Sequence, residues 1–397
     1  METASCTVAE EHVERIAAAL PRVAHHLTNY TYEEGLLGLC LFYCYYARYT
    51  GDDRHYQAAE RYLDQALALV DPKNYRKVYK TDSLDCHLSN LGRFLEFAVR
   101  NGFLDMDTNQ YLKNVDEVLY GLMEGKIAAG DVDLGSGAMA GGHYFLSRLA
   151  STQTVTPCLE RLVAGVAETA VADEQGDYFW RAPSLKNRVY LGLSHGSAMV
   201  LSWLAAVAGQ GIAAERCAQI SRPAVAFVLK HQREQPNGLF PLMLGEQPGP
   251  TQFSQCYGDL GVGYGLFRAA QLLDDPHLRH HALTVLEACT RRTYEDRLTG
   301  DSSICYGASG LAAVFDKLYR LSTDARFAQR AGYWYEQIPR YFRNGGNGDF
   351  GGYYSILPGA NGLWHTSFSW GMIGTGISLM KQARPDLPPL DGLLMAV

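Results

Sequence analysis

Basic charge is in short supply: 35 lysines and arginines face 42 aspartates and glutamates, for a formal net charge of −7. That leaves no electrostatic footprint for nucleic acid. No run of about eighteen uncharged apolar residues occurs, which argues against a membrane span. The opening stretch, METASCTVAEEHVERIAAAL, carries glutamates where a secretory signal would need a basic start and an apolar stretch. Cysteine is sparse too, nine residues at scattered positions, too few for a disulfide scaffold. Together these features predict reduced thiols in a cytoplasmic protein, associated with a membrane at most peripherally through partners. Low-complexity tails and composition breaks are also missing, which predicts a single domain over 1–397. Nor is there a phosphate-binding loop. Turns such as GVGYGLF hold closely spaced glycines, but no strand precedes them.

What is present is a large core, with hydrophobic residues at 47% and charged residues at 19%. It is laid out as a repeat. A short glycine-rich turn running into an apolar helix recurs at Gly35, Ser89, Gly137, Gly196, Gly258, Gly307 and Gly371, at spacings of 48 to 64 residues. Each spacing suits two helices and two loops. The segment after the turn, as in Leu36 to Tyr46, is apolar nearly all round and so expects burial on every side. The intervening segments are amphipathic: Tyr56, Ala59, Leu63, Leu67 and Val70 form one stripe. The pattern predicts an all-α fold, an α/α toroid of seven inner helices surrounded by outer ones. The glycines let the helix starts crowd together at one mouth. Two long loops, 234–253 and 343–364, lead into turns at this mouth, and loops of such length are frequently functional.

Residues just before each glycine would therefore converge. Cys256 and Cys305 each stand two residues before the glycine, in FSQCYGDLG and SSICYGASG. Buried thiols inherited with the repeat are the ordinary explanation. Two thiols at equivalent places also offer half of a zinc site, which needs a third ligand and an open position for substrate. His195, directly before Gly196, and His365, six residues before Gly371, are the candidates for it. Asp133 in GDVDLGSGAM is either a helix cap or a group reaching the mouth. Tyr257 and Tyr306 follow the two cysteines and read first as packing residues, and His87 is a weaker candidate still. An acid pair of the glycosidase kind would have to come from Asp133 and Asp259.

These motifs resemble the lantibiotic cyclase, or lanthionine synthetase C-like, family over essentially the whole chain. GLSHGSAM stands for the family's Gly-Leu-Ala-His-Gly turn, QCYGDLG for Trp-Cys-Tyr-Gly-x-x-Gly, and ICYGASG for Leu-Cys-His-Gly-x-x-Gly. The resemblance implies a Zn2+-dependent enzyme that closes lanthionine or methyllanthionine rings, adding a cysteine thiol to dehydroalanine or dehydrobutyrine in a dehydrated precursor peptide. A dehydratase and a transporter would be its working partners. Cys256 and Cys305 match two thiolate ligands, His195 a catalytic histidine, and Asp133 and Tyr257 further active-site positions. Three positions depart from the pattern. Tyr306 stands where the third zinc ligand is histidine, Gln255 replaces tryptophan, and Gln252 replaces an arginine. His365 is the substitute ligand this reading favours, with Tyr306 the other choice. Two alternatives follow: a zinc-deficient, non-catalytic member that binds peptide or scaffolds a modification complex, and addition of a small thiol such as glutathione.

Overall fold

The computed structural model describes residues 2–71, 73, 75–77, 82–235, 237–344 and 350–397. Helices dominate, and the β-structure among these residues is one two-stranded hairpin, Val171–Ala172 with Tyr178–Phe179. None of the helices is long and apolar enough to cross a membrane. The chain divides into two compact units, Met1–Val78 with Tyr294–Asp391, and Tyr79–Thr293 with Gly392–Val397.

In the second unit, four buried helices pack in succession: Leu84–Arg100, Met139–Arg148, Ser197–Gly209 and Asp259–Leu273. Glycines set their close approach. A Cβ on Gly92 would run into the Tyr144 ring, one on Gly142 into Leu162 and Trp203, and one on Gly265 into Ala198. Each buried helix is backed by a half-exposed one: Thr108–Ala128, Thr156–Thr169, Ala214–Lys230 and Pro276–Thr290. Several of these start as the sequence dictates, with Asp107 and Asp275 accepting two backbone N–H bonds each. Arg148, almost wholly buried, bonds Glu96 at 2.5 Å and Asp116 at 3.0 Å, tying three helices together.

In the first unit the buried helices are Leu36–Thr50, Ala308–Ser322 and Met372–Ala383. Arg54–Leu67 backs the first and Ala325–Gln337 the second. The third, Met372–Ala383, is backed from the other end of the sequence. Its backing is the N-terminal helix Glu2–Val23, packed against Met372–Ala383. The face that Arg54–Leu67 buries is rotated from the expected stripe. Ala59, Tyr62 and Ala66 are buried, while Tyr56, Leu63 and Leu67 are only half covered. Tyr62 turns inward because its ring stacks on Tyr43, with centroids 5.7 Å apart and planes 16° from parallel.

Six of the seven expected turns share one construction. A Cβ on Gly35, Gly137, Gly196, Gly258, Gly307 or Gly371 would fall under 3 Å from backbone atoms four or six residues earlier. In the turns of Gly35, Gly137, Gly196 and Gly307 the chain loops back so tightly that the residue after the glycine donates its N–H to the carbonyl of the residue six before the glycine. Leu36 to Asn29, at 3.0 Å, and Ala308 to Asp301, also at 3.0 Å, are two instances. Space, rather than a left-handed φ, excludes other residues at Gly35 and Gly307. Ser89 is different: it lies inside the helix Leu84–Arg100, so the second repeat has no turn there.

Candidate active site

The turn construction assigns each position before the glycine a task. At the sixth place back, Asn29, Asp131 and Asp301 use a side-chain oxygen to hold the backbone N–H two residues on, at 2.9 to 3.0 Å. At the fourth place back, the hydroxyls of Thr31, Ser254, Ser303 and Ser367 accept the N–H of the residue just before the glycine, at 3.1 to 3.3 Å. At the second place back, backbone bonds join neighbouring turns of the same unit. Ser194 N–H donates to Cys256 C=O at 3.4 Å, Cys305 N–H to Ser369 C=O at 2.9 Å, and Ser369 N–H to Glu33 C=O at 3.0 Å. The residue directly before the glycine is thereby presented by a fixed backbone. These residues are Glu34, Ser136, His195, Tyr257, Tyr306 and Trp370.

Asp133 fills the fourth place in its turn, where serine or threonine stands in four of the other turns and Gly192 in the turn of Gly196. One oxygen does the capping work, accepting from Gly135 N–H at 2.9 Å and from the Ser136 hydroxyl at 3.3 Å. The other lies 2.6 Å from Nδ1 of His195. Cap and reach into the site are therefore both true of this residue. Asp133 is buried, whereas the His195 side chain retains 12% exposure. The aspartate accepts, so Nδ1 carries the hydrogen, and in the neutral imidazole Nε2 keeps its lone pair. Asp131 supports the arrangement from below, holding Asp133 N–H at 3.0 Å and the Ser136 hydroxyl at 3.3 Å. Burial pushes the Asp131 carboxyl above its ordinary range. The Ser136 hydroxyl also pairs with that of Ser184.

Two tyrosine rings flank His195: Tyr257 with centroids 6.1 Å away, and Tyr190 at 5.5 Å. Cys256 is buried in the same unit, its Sγ 3.6 Å from Sδ of Met395. The second unit thus brings together Asp133, His195, Tyr257 and the backbone carrying Cys256. Asp131, Ser136, Tyr190 and Met395 were not foreseen. Aligning GDVDLGSG on GDSSICYG could have revealed Asp131, because Asp301 occupies the same place. The chain gives no such hint of Met395, which arrives from far along the sequence.

Cys305, Tyr306 and His365 belong to the first unit. Cys305 is buried and its N–H is tied to Ser369. The Tyr306 ring packs on Trp370 with centroids 4.9 Å apart, and Trp370 Nε1 donates to Glu34 at 2.7 Å. These three residues share the place directly before the glycine, in three turns. His365 is not at that place. It stands six before Gly371, the position of Asn29 and Asp301, where side chains serve the turn's framework. Its Nδ1 accepts the Ser355 N–H at 3.1 Å, and its ring lies between Phe350 and Tyr354. Burial lowers its pKa from the ordinary histidine value. Among the described residues, no three His, Cys, Asp or Glu side chains meet as a metal-binding group. His87 is held by Asp82 at 3.0 Å within its helix region.

Asp259 is fully committed elsewhere. It accepts the N–H groups of Gly238, Leu239 and Phe240 at 2.9 to 3.1 Å and pairs with Arg292, pinning the loop that precedes it. That removes the second carboxylate the glycosidase reading needed. The loops 234–253 and 343–364 reach into residues 236 and 345–349, which lie outside those described. None of the eight cysteines whose side chains are described forms a disulfide.

Comparisons with known proteins agree with this construction. A sequence model of the family described as "Lanthionine synthetase C-like protein" matches residues 26–395. Among solved structures, nisin cyclase is similar, with 16% sequence identity, 95% of each chain covered and a TM-score of 0.71. At that identity the likeness speaks for the fold, and it bears out the all-α, α/α-toroid class expected from the repeat. Among curated proteins none matches. Since the family's model spans nearly the whole chain, including the turns that carry Asp133, His195, Cys256 and Cys305, the chain belongs to the lanthionine synthetase C-like family.

Proposed function

We propose that the protein catalyses Michael-type addition of a cysteine thiol to a dehydroalanine or dehydrobutyrine in a ribosomally made peptide, closing lanthionine or methyllanthionine rings. The observation that carries this is the Asp133–His195 pair, a buried carboxylate on Nδ1 with Nε2 left for proton transfer, in a member of this family.

Each step balances without a redox partner. Nε2 of His195 takes the proton of the incoming thiol, and the sulfur forms a bond to the alkene β-carbon. The π pair moves into an enolate on the neighbouring carbonyl. Nε2–H then returns the proton to the α-carbon, so the ring closes as an isomerisation. Asp133 keeps the imidazole in one tautomer and stabilises it while it is charged. Tyr257 and Tyr190 wall the ring and limit its rotation. Cys256, set in the same framework, is proposed as a sulfur ligand or contact for the reacting centre.

Zinc is what the resemblance implied. Among the described residues, no His, Cys, Asp or Glu donors complete a site for it. The place of the third ligand is taken by Tyr306, packed on Trp370, and Nδ1 of His365 is occupied by the Ser355 N–H. No step is therefore routed through the metal. These same features favour a second reading, a member that binds the peptide without processing it. Dehydratase and transporter partners and a cytoplasmic setting belong to the proposal on the same footing.

A synthetic peptide with one dehydroalanine and one cysteine three residues away tests the reading. The expected result is enzyme-dependent loss of the alkylatable thiol with no change in mass. Binding without thiol loss would favour the non-catalytic reading. A mass gain of one glutathione, when that thiol is supplied, would favour small-thiol addition.

A further inference from the structure

A cavity of about 300 Å3 lies in the first unit, beside the chain that enters the Gly307 turn, lined among others by Tyr294, Arg297, Gly300, Arg340, Tyr341 and Arg343. In a chain of net charge −7, three guanidinium groups around one concavity stand out. Their arrangement is built rather than incidental. The Arg340 guanidinium sits 3.8 Å from the Tyr294 ring centre and that of Arg297 4.5 Å from it, so one phenol ring supports two cations. Tyr341 meets Tyr294 edge-on at 5.1 Å, and its hydroxyl donates to the Thr299 carbonyl at 3.2 Å, which fixes the aromatic floor. Arg297 has φ of 57°, in the left-handed region that costs a non-glycine residue about 1 kcal/mol or more.

Two carboxylates bear on this group, Glu295 and, by its electrostatic interaction with Arg343, Asp301. Glu295 pairs with Arg340 at 2.7 Å and lies 3.8 Å from Arg297. Arg343 has no carboxylate within ion-pair distance among the described residues. Guanidinium forks match the planar geometry of a carboxylate, and the tyrosine rings give its methylene stem a surface to cover. A phosphate nest would present successive backbone N–H groups. Here the one lining glycine, Gly300, has its open side covered by Ile356.

We propose that this pocket binds carboxylate side chains of an acidic peptide segment. The inference does not depend on the thiol chemistry above, because it is a statement about binding alone. The test is fluorescence anisotropy of a labelled glutamate-rich decapeptide with the full chain, beside the matching lysine peptide. The glutamate peptide should bind and weaken with added salt, and the lysine peptide should not. Arg343→Gln alone should weaken binding several-fold and Arg297→Gln/Arg343→Gln at least ten-fold. Arg384→Gln, an exposed arginine paired with Asp386, should leave it unchanged. Circular dichroism confirms that each variant is folded. Undiminished binding by Arg343→Gln and the double variant would overturn the proposal. So would displacement of the peptide by inorganic phosphate at concentrations that do not change the salt effect, which would assign the pocket to a free oxyanion.

Discussion

Nδ1 of His195 is held 2.6 Å from an oxygen of Asp133 whose sister oxygen caps the turn in which it sits. One carboxylate thus couples the fold of its own turn to the protonation geometry of a residue 62 positions away. Asp133→Asn separates the two tasks. The amide can still cap through its oxygen, but it offers His195 no carboxylate. Ring closure with the dehydroalanine peptide should fall roughly 10²–10⁴-fold while the melting transition changes little. An unaltered rate would remove His195 from the proton-transfer role.

Tyr306 makes the metal question testable without turnover. Tyr306→His restores an imidazole where the family's motif has one, at the cost of the packing on Trp370. Zinc retained against a graded series of chelators should rise at least ten-fold in affinity over the parent protein. Equal retention in both would mean that the residues of the parent already hold zinc fully.

Glycine tells two opposite stories in this chain. Gly307→Ala must push a methyl into the backbone at Ser303 and an Asp301 oxygen, and should cost about 1–3 kcal/mol in urea unfolding. Gly121 sits inside the helix Thr108–Ala128 with nothing within 4 Å of a new Cβ. Gly121→Ala should therefore stabilise by roughly 0.5–1 kcal/mol.

Asp259→Ala should be among the most damaging single changes. It strands the buried Arg292 guanidinium and three backbone N–H groups at once. A loss of about 3–5 kcal/mol is expected. Limited proteolysis should show early cleavage within 237–253. If that loop stays protected, its anchoring lies elsewhere.

The turns could be found in the sequence because their constraint is local and absolute: a Cβ has no room, so glycine marks the spot. The same logic failed at Ser89, where no glycine stands and the helix simply runs through. Counting back from the glycine singled out Asp133 and His195, and their places in the two turns bring them into contact at 2.6 Å. His365 stands at the sixth place back, where the side chains of Asn29 and Asp301 hold the turn's framework, and its Nδ1 accepts the Ser355 N–H. Tyr190 stands at the sixth place before Gly196, where its carbonyl accepts the Ser197 N–H at 3.3 Å, whereas Met395 owes its position to a contact between distant segments that no spacing announces. The outer helix Arg54–Leu67 shows the same limit in packing, where stacking of Tyr62 on Tyr43 outweighed the apolar stripe.

The backbone bonds that join Ser194 to Cys256, Cys305 to Ser369, and Ser369 to Glu33 make these turns sockets whose walls do not depend on what is fitted into them. Glutamate, serine, histidine, tyrosine and tryptophan all occupy the same seat before the glycine. Chemistry in such a molecule can be exchanged one fitting at a time. A lineage can lose a metal-binding histidine or gain an aromatic platform while the scaffold around it stays put.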